Sequence, residues 1–334
     1  MPLPFPPAPF PLARPRRLRA SPWVRRLVAE TTLSPADLIW PLIVHDGAED
    51  RLPVPSMPGV FRLSAREAAR AAVEARDLGI PAVALFPNID RAIKDAVGTG
   101  ATDPDGLIPE CIKAIKDAAP EVGVMCDVAL DCYTDHGHDG VLEDGRILND
   151  ATLERLAEQA FIQAHAGADI VGPSDMMDGR VQAVREALEA NGYHDVMILS
   201  YAAKYASAFY GPYRDAVGTA RALTGDKRTY QMDPANTDEA LREVAMDLAE
   251  GADAVMIKPG MPYLDVVRRV VETFHVPTFA YQVSGEYSMI QAAVAKGWLD
   301  EERAVLETLT AFKRAGCAGV VSYFAPKAAR LLGR

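Results

Sequence analysis

Lys258 closes the apolar run of "AVMIKPGMPY", and a Pro-Gly turn follows it at once. An ammonium at the end of a buried strand is desolvated, which lowers its pKa toward the free base that can attack a ketone. Lys204, in "SYAAKYASAFYGPYRD", comes a few residues past a neighbouring run of the same kind. That places it close enough to Lys258 to share one mouth. Taken singly, either lysine reads equally well as a rim residue whose stem lies on apolar surface while its charge reaches water. A second chemistry is concentrated in "DVALDCYTDHGHDG", residues 127–140, with four aspartates, two histidines and Cys132. Carboxylates packed this densely repel one another unless a cation, a proton or a substrate offsets them.

A third group lies in "TDEALREVAMDLAEGAD". Helical spacing makes Leu241, Val244, Ala245 and Leu248 the expected buried stripe and stacks Glu239, Glu243 and Asp247 at i, i+4 and i+8. Like charges so placed destabilise a helix by roughly 0.2–0.5 kcal/mol per pair. No lysine or arginine at matching spacing relieves them, so the stretch is either a solvated acidic face or one that takes a cation from outside.

These groups must be positioned by the alternation that runs through the chain. Short apolar runs begin at Leu38, Ala82, Val122, Asp169, Val196, Ala254, Pro277 and Gly319. Between them lie amphipathic stretches such as "SAREAARAAVEARDLG" and "TLERLAEQAFIQAHAG", each closed by glycine. Eight near-continuous apolar strands separated by helices predict parallel strands covered on both faces, hence an α/β fold of the (β/α)8 barrel type. In such barrels the chemistry collects at the C-terminal strand ends. Those ends are polar here: Asp127 and Asp131, Ser174 and Asp175, Ser200 to Lys204, Lys258, Ser284 and Tyr323. The run "TYQMDPA" is assigned to a lid-like connection over residues 205–235 rather than to a ninth strand, and "VLEDGRIL" to a small hairpin around its Asp-Gly turn.

A hydrophobic share of 49% supports a large core, and 24% charged residues is the ordinary globular level. No apolar run approaches the roughly 20 residues of a spanning helix, so no membrane partner is expected. The net charge of −11 conceals a basic start: Arg14, Arg16, Arg17, Arg19, Arg25 and Arg26 precede the first acid. Prolines there exclude a signal-peptide core and argue against a helix. Residues 1–34 are therefore expected to form an extended Pro/Arg-rich arm on a catalytic barrel of residues 35–334. Without overall basicity or interleaved aromatics the arm is not read as a nucleic-acid binder, but as one that docks on acidic protein surface. Four cysteines without a CxxC pair fit a reduced, cytoplasmic protein.

The motifs "SYAAKYASAFYGPYRDA", "TYQMDPAN", "MIKPGMPYLD", "YQVSGEY" and "LTAFKRAGCAGVVSYF", with "DVALDCYTDHGHDG" and "GPSDMMDGR", resemble the porphobilinogen synthase (5-aminolevulinate dehydratase) family from about Arg14 to the C-terminus. The resemblance implies condensation of two 5-aminolevulinate molecules to porphobilinogen, with loss of two waters, in tetrapyrrole biosynthesis. It implies Schiff bases at Lys258, with the substrate that becomes the propionate side, and at Lys204, with the one that becomes the acetate side. Ser284 and Tyr323 match its donors to one substrate carboxylate, and Arg214, Lys227 and Gln231 its donors to the other. Asp131, Asp139 and Ser174 join the substrate-binding set.

In the zinc-dependent branch of that family three cysteines stand at the positions of Ala129, Asp131 and Asp139. Two carboxylates remain here, hard ligands that suit Mg2+, K+ or no bound ion, so active-site Zn2+ is not expected. If the segment is extended, Cys132 points away from Ala129 and Asp131. Glu243, with Asp247 and Asp175 around it and an arginine of the arm such as Arg14, matches the family's allosteric Mg2+ site. That implies a homo-octamer linked by exchanged arms. Two other readings remain: an aldolase-like lyase needing one lysine, and a barrel that binds cations without catalysis.

Overall fold

In the computed structural model, residues 8–219, 223 and 225–333 are described. The chain divides into two units, Met1–Thr32 and Leu33–Arg334. In the first, the described residues corrected one expectation: the proline-rich start is partly helical, with a 3-10 turn at Pro15–Arg19 and an α-helix at Pro22–Leu27. Both begin on proline, whose missing N–H is one the first turn leaves unused and whose fixed φ already suits a helix. The Arg14 guanidinium lies 4.4 Å over the Phe10 ring. The first seven residues of the expected arm, and residues 220–222 and 224 of the expected lid, lie outside the described residues.

The second unit is built on eight parallel strands: β1 (Leu38–His45), β2 (Ala82–Asn88), β3 (Gly123–Val128), β4 (Ile170–Pro173), β5 (Met197–Lys204), β6 (Ala254–Lys258), β7 (Thr278–Gln282) and β8 (Gly319–Ser322). Each pairs with its neighbours in sequence order, and β8 pairs back onto β1 through Leu38↔Val320 and Ile39↔Val321, which closes the barrel. The eight apolar runs are these strands. Nearly all their residues are buried, because the barrel interior takes one face and the outer helices the other. Helices Ala65–Asp77 and Asn149–Ala166 end where Gly79 and Gly167 take positive φ, 74° and 108°, the left-handed turn that favours glycine.

Segment 142–147 is a two-strand hairpin whose turn residues Asp144 and Gly145 both have positive φ, as the Asp-Gly pair predicts. "TYQMDPA" makes only a single bridge, Tyr205↔Met232, which fastens the long connection to the end of β5. A further hairpin, Arg51–Pro53 with Phe61–Leu63, was not foreseen; its second strand runs beside the end of β1. Its sequence, "RLPVPSMPGVFRL", hides it behind prolines and a lack of alternation.

Helix Asp238–Ala249 departs from the expected stripe. Ala240, Val244 and Asp247 are buried, whereas Ala245 is exposed. The buried Arg180 draws Asp247 inward, which periodicity within one helix does not reveal.

Candidate active site

Lys204 and Lys258 are the last residues of β5 and β6 and stand directly opposite each other in the strand register. Both are 5% exposed, yet they are housed differently. The Lys258 Nζ sits among aromatic rings, 4.8 Å from the Tyr201 centroid, 4.9 Å from Tyr281, 5.3 Å from Tyr213, 5.7 Å from Tyr210 and 6.0 Å from Phe86. Burial disfavours its charge, and the neighbouring Lys204 adds repulsion. Together they bring its pKa down to about 8, against the opposing pull of Asp127, Asp131 and Asp139.

Lys204 is held by oxygen. Its Nζ donates to Asp139 Oδ1 at 3.0 Å and to the main-chain carbonyl of Ser174. Lys227 reaches in from the long connection and pairs with Asp139 Oδ2 at 2.7 Å and Asp131 Oδ2 at 3.1 Å. Burial works against the charge of Lys227, but the two carboxylates more than offset it and raise its pKa. Burial likewise opposes ionisation of Asp139, yet Lys204 and Lys227 hold its carboxyl well below the usual range. Tyr230 donates to Asp139 Oδ2 at 2.8 Å, and its hydroxyl lies 3.0 Å from His138 Nδ1. His136 Nε2 lies 3.0 Å from the Ala96 carbonyl oxygen.

The carboxylate-rich segment thus meets its cations from within the chain, as lysines. Among the described residues no three His, Cys, Asp or Glu side chains are grouped to hold a metal. The buried Cys132 thiol lies 3.8 Å from the Tyr213 hydroxyl, and burial raises its pKa well above the ordinary thiol value.

Asp127 is the residue that sequence reasoning undervalued, having been read as a simple strand end. Its carboxyl is buried with Oδ1 unpartnered, and burial pushes its pKa up to about 6 although Lys258 and Lys204 pull the other way. A carboxyl that titrates near neutrality beside an amine that does the same can pass protons at pH 7. The signal available was its position alone, at the C-terminal end of β3. The ring cage of Lys258 was also missed, because β2, β5, β7 and the lid each contribute to it.

Asp127, Asp131, Ser174, Lys204, Tyr210, Tyr213, Arg214, Lys227, Gln231 and Lys258 surround one cavity of about 20 Å³. That is room for about one water. Of the expected carboxylate donors, Arg214, Lys227 and Gln231 face it, whereas Ser284 and Tyr323 are not among its walls. Ser284 Oγ instead accepts the Tyr213 N–H at 2.8 Å, and the Tyr323 hydroxyl accepts from Tyr281 at 3.1 Å. Both are one residue removed from the Lys258 cage. Arg214 rides on the short helix Gly211–Ala216, whose last carbonyls accept from Arg62: Asp215 at 2.8 Å and Ala216 at 2.7 Å. Ser56 donates to Asp215 Oδ2 at 2.5 Å.

The expected cation site is divided. Asp247 is buried and receives Arg180 through both terminal nitrogens, at 3.0 and 3.3 Å, and Ser200 at 2.5 Å. Asp175 is fully buried, 3.8 Å from the Arg180 Nε, and burial pushes its carboxyl up to about 7. Asp247 is thus neither part of a solvated acidic face nor left to a cation from outside the chain: Arg180 offsets it from another helix. Glu243, half-buried, lines a second cavity with Glu239 and Asp178, and burial raises its pKa.

Comparison with known proteins gives the arrangement a context. A family model described as delta-aminolevulinic acid dehydratase matches residues 12–331. The delta-aminolevulinic acid dehydratase of Bradyrhizobium diazoefficiens is 62% identical over 319 residues, covering 96% of this chain and 90% of that protein. That of Rhodobacter capsulatus is 56% identical, covering 97% and 98%. A crystal structure of the Toxoplasma gondii enzyme with its product porphobilinogen superposes with a TM-score of 0.93 at 50% identity, covering 95% of this chain and 91% of that one. With its closed barrel, its two lysines and a match over nearly its whole length, the chain belongs to the delta-aminolevulinic acid dehydratase family.

Proposed function

We infer that the two buried lysines are the working groups of a delta-aminolevulinic acid dehydratase, EC 4.2.1.24. The chain condenses two 5-aminolevulinate molecules into porphobilinogen, with loss of two waters, in tetrapyrrole biosynthesis. One observation carries the assignment of roles: two amines share a register position, Lys258 in an aromatic cage that favours its free base and Lys204 hydrogen-bonded to Asp139 and the Ser174 carbonyl.

Lys258, as free amine, attacks the ketone of one substrate and expels its oxygen as the first water. Lys204 forms the second imine and releases the second water. A protonated imine withdraws electrons from the carbon beside it. A proton then leaves carbon 3 of the Lys204-bound molecule, and that carbon joins carbon 4 of the Lys258-bound molecule. The amine of the Lys258-bound molecule bonds to carbon 4 of the other. Both lysines leave as amines, the second carbon 3 proton of the Lys204-bound molecule is lost, and loss of one carbon 5 proton from the Lys258-bound molecule completes the pyrrole. Asp127 is placed to hold these protons. Arg214, Lys227 and Gln231 take one substrate carboxylate, and Ser284 and Tyr323 the other once the lid segment carrying Tyr213 shifts. Asp131, Asp139 and Ser174 orient the substrate on Lys204. A cavity of about 20 Å³ requires that shift before two substrates enter.

The donor set does not fit Zn2+: Asp131 and Asp139 are ion-paired to lysines, and the lone Cys132 thiol is held protonated by burial. Glu243 does fit a hard cation. It is the half-buried carboxylate whose nearest arginine, Arg180, is already engaged by Asp247. Mg2+ held by Glu243, with Asp175 and Asp247 behind it, would supply positive charge outside the lysine cavity and favour a homo-octamer with exchanged arms. K+ is a further candidate activator.

The test is pyrrole formation from 5-aminolevulinate by chelator-stripped protein, with Mg2+, Zn2+ or K+ restored separately. Turnover that Mg2+ raises and Zn2+ does not is the expected result. Absence of pyrrole from folded protein in every condition overturns the function. An absolute need for Zn2+ overturns the metal reading alone.

A further inference from the structure

Glu286 is 0% exposed, and only burial and main-chain N–H groups act on its carboxyl. Oε1 accepts from Met261 N at 2.5 Å, and Oε2 accepts from Val283 N at 2.5 Å. The Gly260 N–H adds to the same stabilisation. These donors belong to two different turns. Gly260 and Met261 form the turn immediately after Lys258, and Val283 is the residue before Ser284, at the end of β7. One carboxylate therefore ties the strand end that carries the imine lysine to the helix start that carries a substrate-carboxylate donor.

Both turns also pack tightly against neighbouring segments. A Cβ on Gly260 would lie 2.4 Å from Phe312 and 3.0 Å from the Tyr281 carbonyl oxygen. A Cβ on Gly285 would lie 2.4 Å from the Phe209 carbonyl oxygen, on the segment leading to the lid. Both turns are closely packed, and the carboxyl group of Glu286 spans the gap between them. A buried acid without a cationic partner is costly to keep, since burial pushes it up to about 8. An apolar residue would fill the space without that cost, so what the carboxylate adds is the pair of N–H bonds. A misplacement of about 1 Å between reacting groups costs on the order of 100-fold in rate.

We propose that Glu286 is a positioning residue that sets the separation between Lys258 and Ser284, and so the fit of the keto acid bound at Lys258. The inference rests on the two-lysine reading given above. Its test uses 4-oxopentanoate, which has the ketone and carboxylate of the substrate but no amine, with borohydride trapping and peptide mass mapping at each lysine. In Glu286→Gln the half-saturating concentration for trapping at Lys258 is expected to rise at least tenfold while that at Lys204 stays within twofold. Glu286→Asp, too short to reach both turns, is expected to behave the same way, which covers the case in which the glutamine variant does not fold. Equal loss at both lysines in folded protein, or no change at either, overturns the proposal in favour of a purely structural role. If the unaltered protein is not trapped at Lys258, the two-lysine reading itself falls and takes this proposal with it.

Discussion

A lysine that titrates near 8 is roughly one-tenth free base at pH 7, whereas one at 10.5 is only about 0.03% free base. Burial of Lys258 in its ring cage and the charge of Lys204 together therefore raise the supply of attacking amine by a factor of roughly several hundred. Because the folded-state pKa is depressed, trapping of a keto acid at Lys258 is expected to speed up about tenfold from pH 6 to 7 and to level off above pH 8. A rate that keeps climbing through pH 10 would show that the cage does not tune the amine. Asp127 titrates on the acid side of the same range. Asp127→Asn is expected to lower kcat by at least about 100-fold, the low end for acid–base work. It should also erase the limb of the pH–rate profile near pH 6, yet leave imine trapping at Lys258 intact. Loss of trapping as well would make Asp127 a binding residue instead. The two lysines were legible in the sequence because each breaks an apolar run. Asp127 was not, since a carboxylate at a strand end has many ordinary explanations and its missing partner shows only in three dimensions.

The short helix Gly211–Ala216, which brings Tyr213 and Arg214 to the cavity, is fastened from a distance. Arg62 binds its last two carbonyls, and Ser56 binds Asp215. Hydrogen bonds from a charged donor contribute roughly 1.5–3 kcal/mol each. Arg62→Ala is expected to raise KM about tenfold with a smaller effect on kcat, because Arg214 rides on that helix; steady-state kinetics on the variant decide it. Unchanged KM would show that the helix holds its place without the clamp. The strands that position the lysines were readable from continuous apolar runs bounded by turn residues. The Arg51–Leu63 hairpin that carries the clamp was not, because its prolines and exposed positions mimic a loop. Asp247 taught a similar lesson. Its partner Arg180 is 67 residues away, beyond the reach of any helical periodicity.

At the scale of the molecule, the chain divides into two compact units, Met1–Thr32 and Leu33–Arg334. On the arm-exchange reading proposed above, deleting residues 1–32 is expected to leave the melting temperature of the barrel within a few degrees while lowering the mass measured by light scattering. On the Mg2+ reading proposed above, Glu243→Ala is expected to abolish activation by Mg2+ and leave the cation-free rate. Retained activation would move the cation elsewhere. The sheet order carries one more consequence. With β8 bonded to β1, the open ladder edges among the described residues are the three residues Arg51–Pro53, which include a proline and an arginine, and the two-residue strands of the 142–147 hairpin. Among the described residues a neighbouring molecule finds little open strand edge on which to lay a strand. Crowded copies of this chain must therefore associate through side-chain surfaces, which can be matched and released, rather than through fibril-like strand addition, which is hard to reverse.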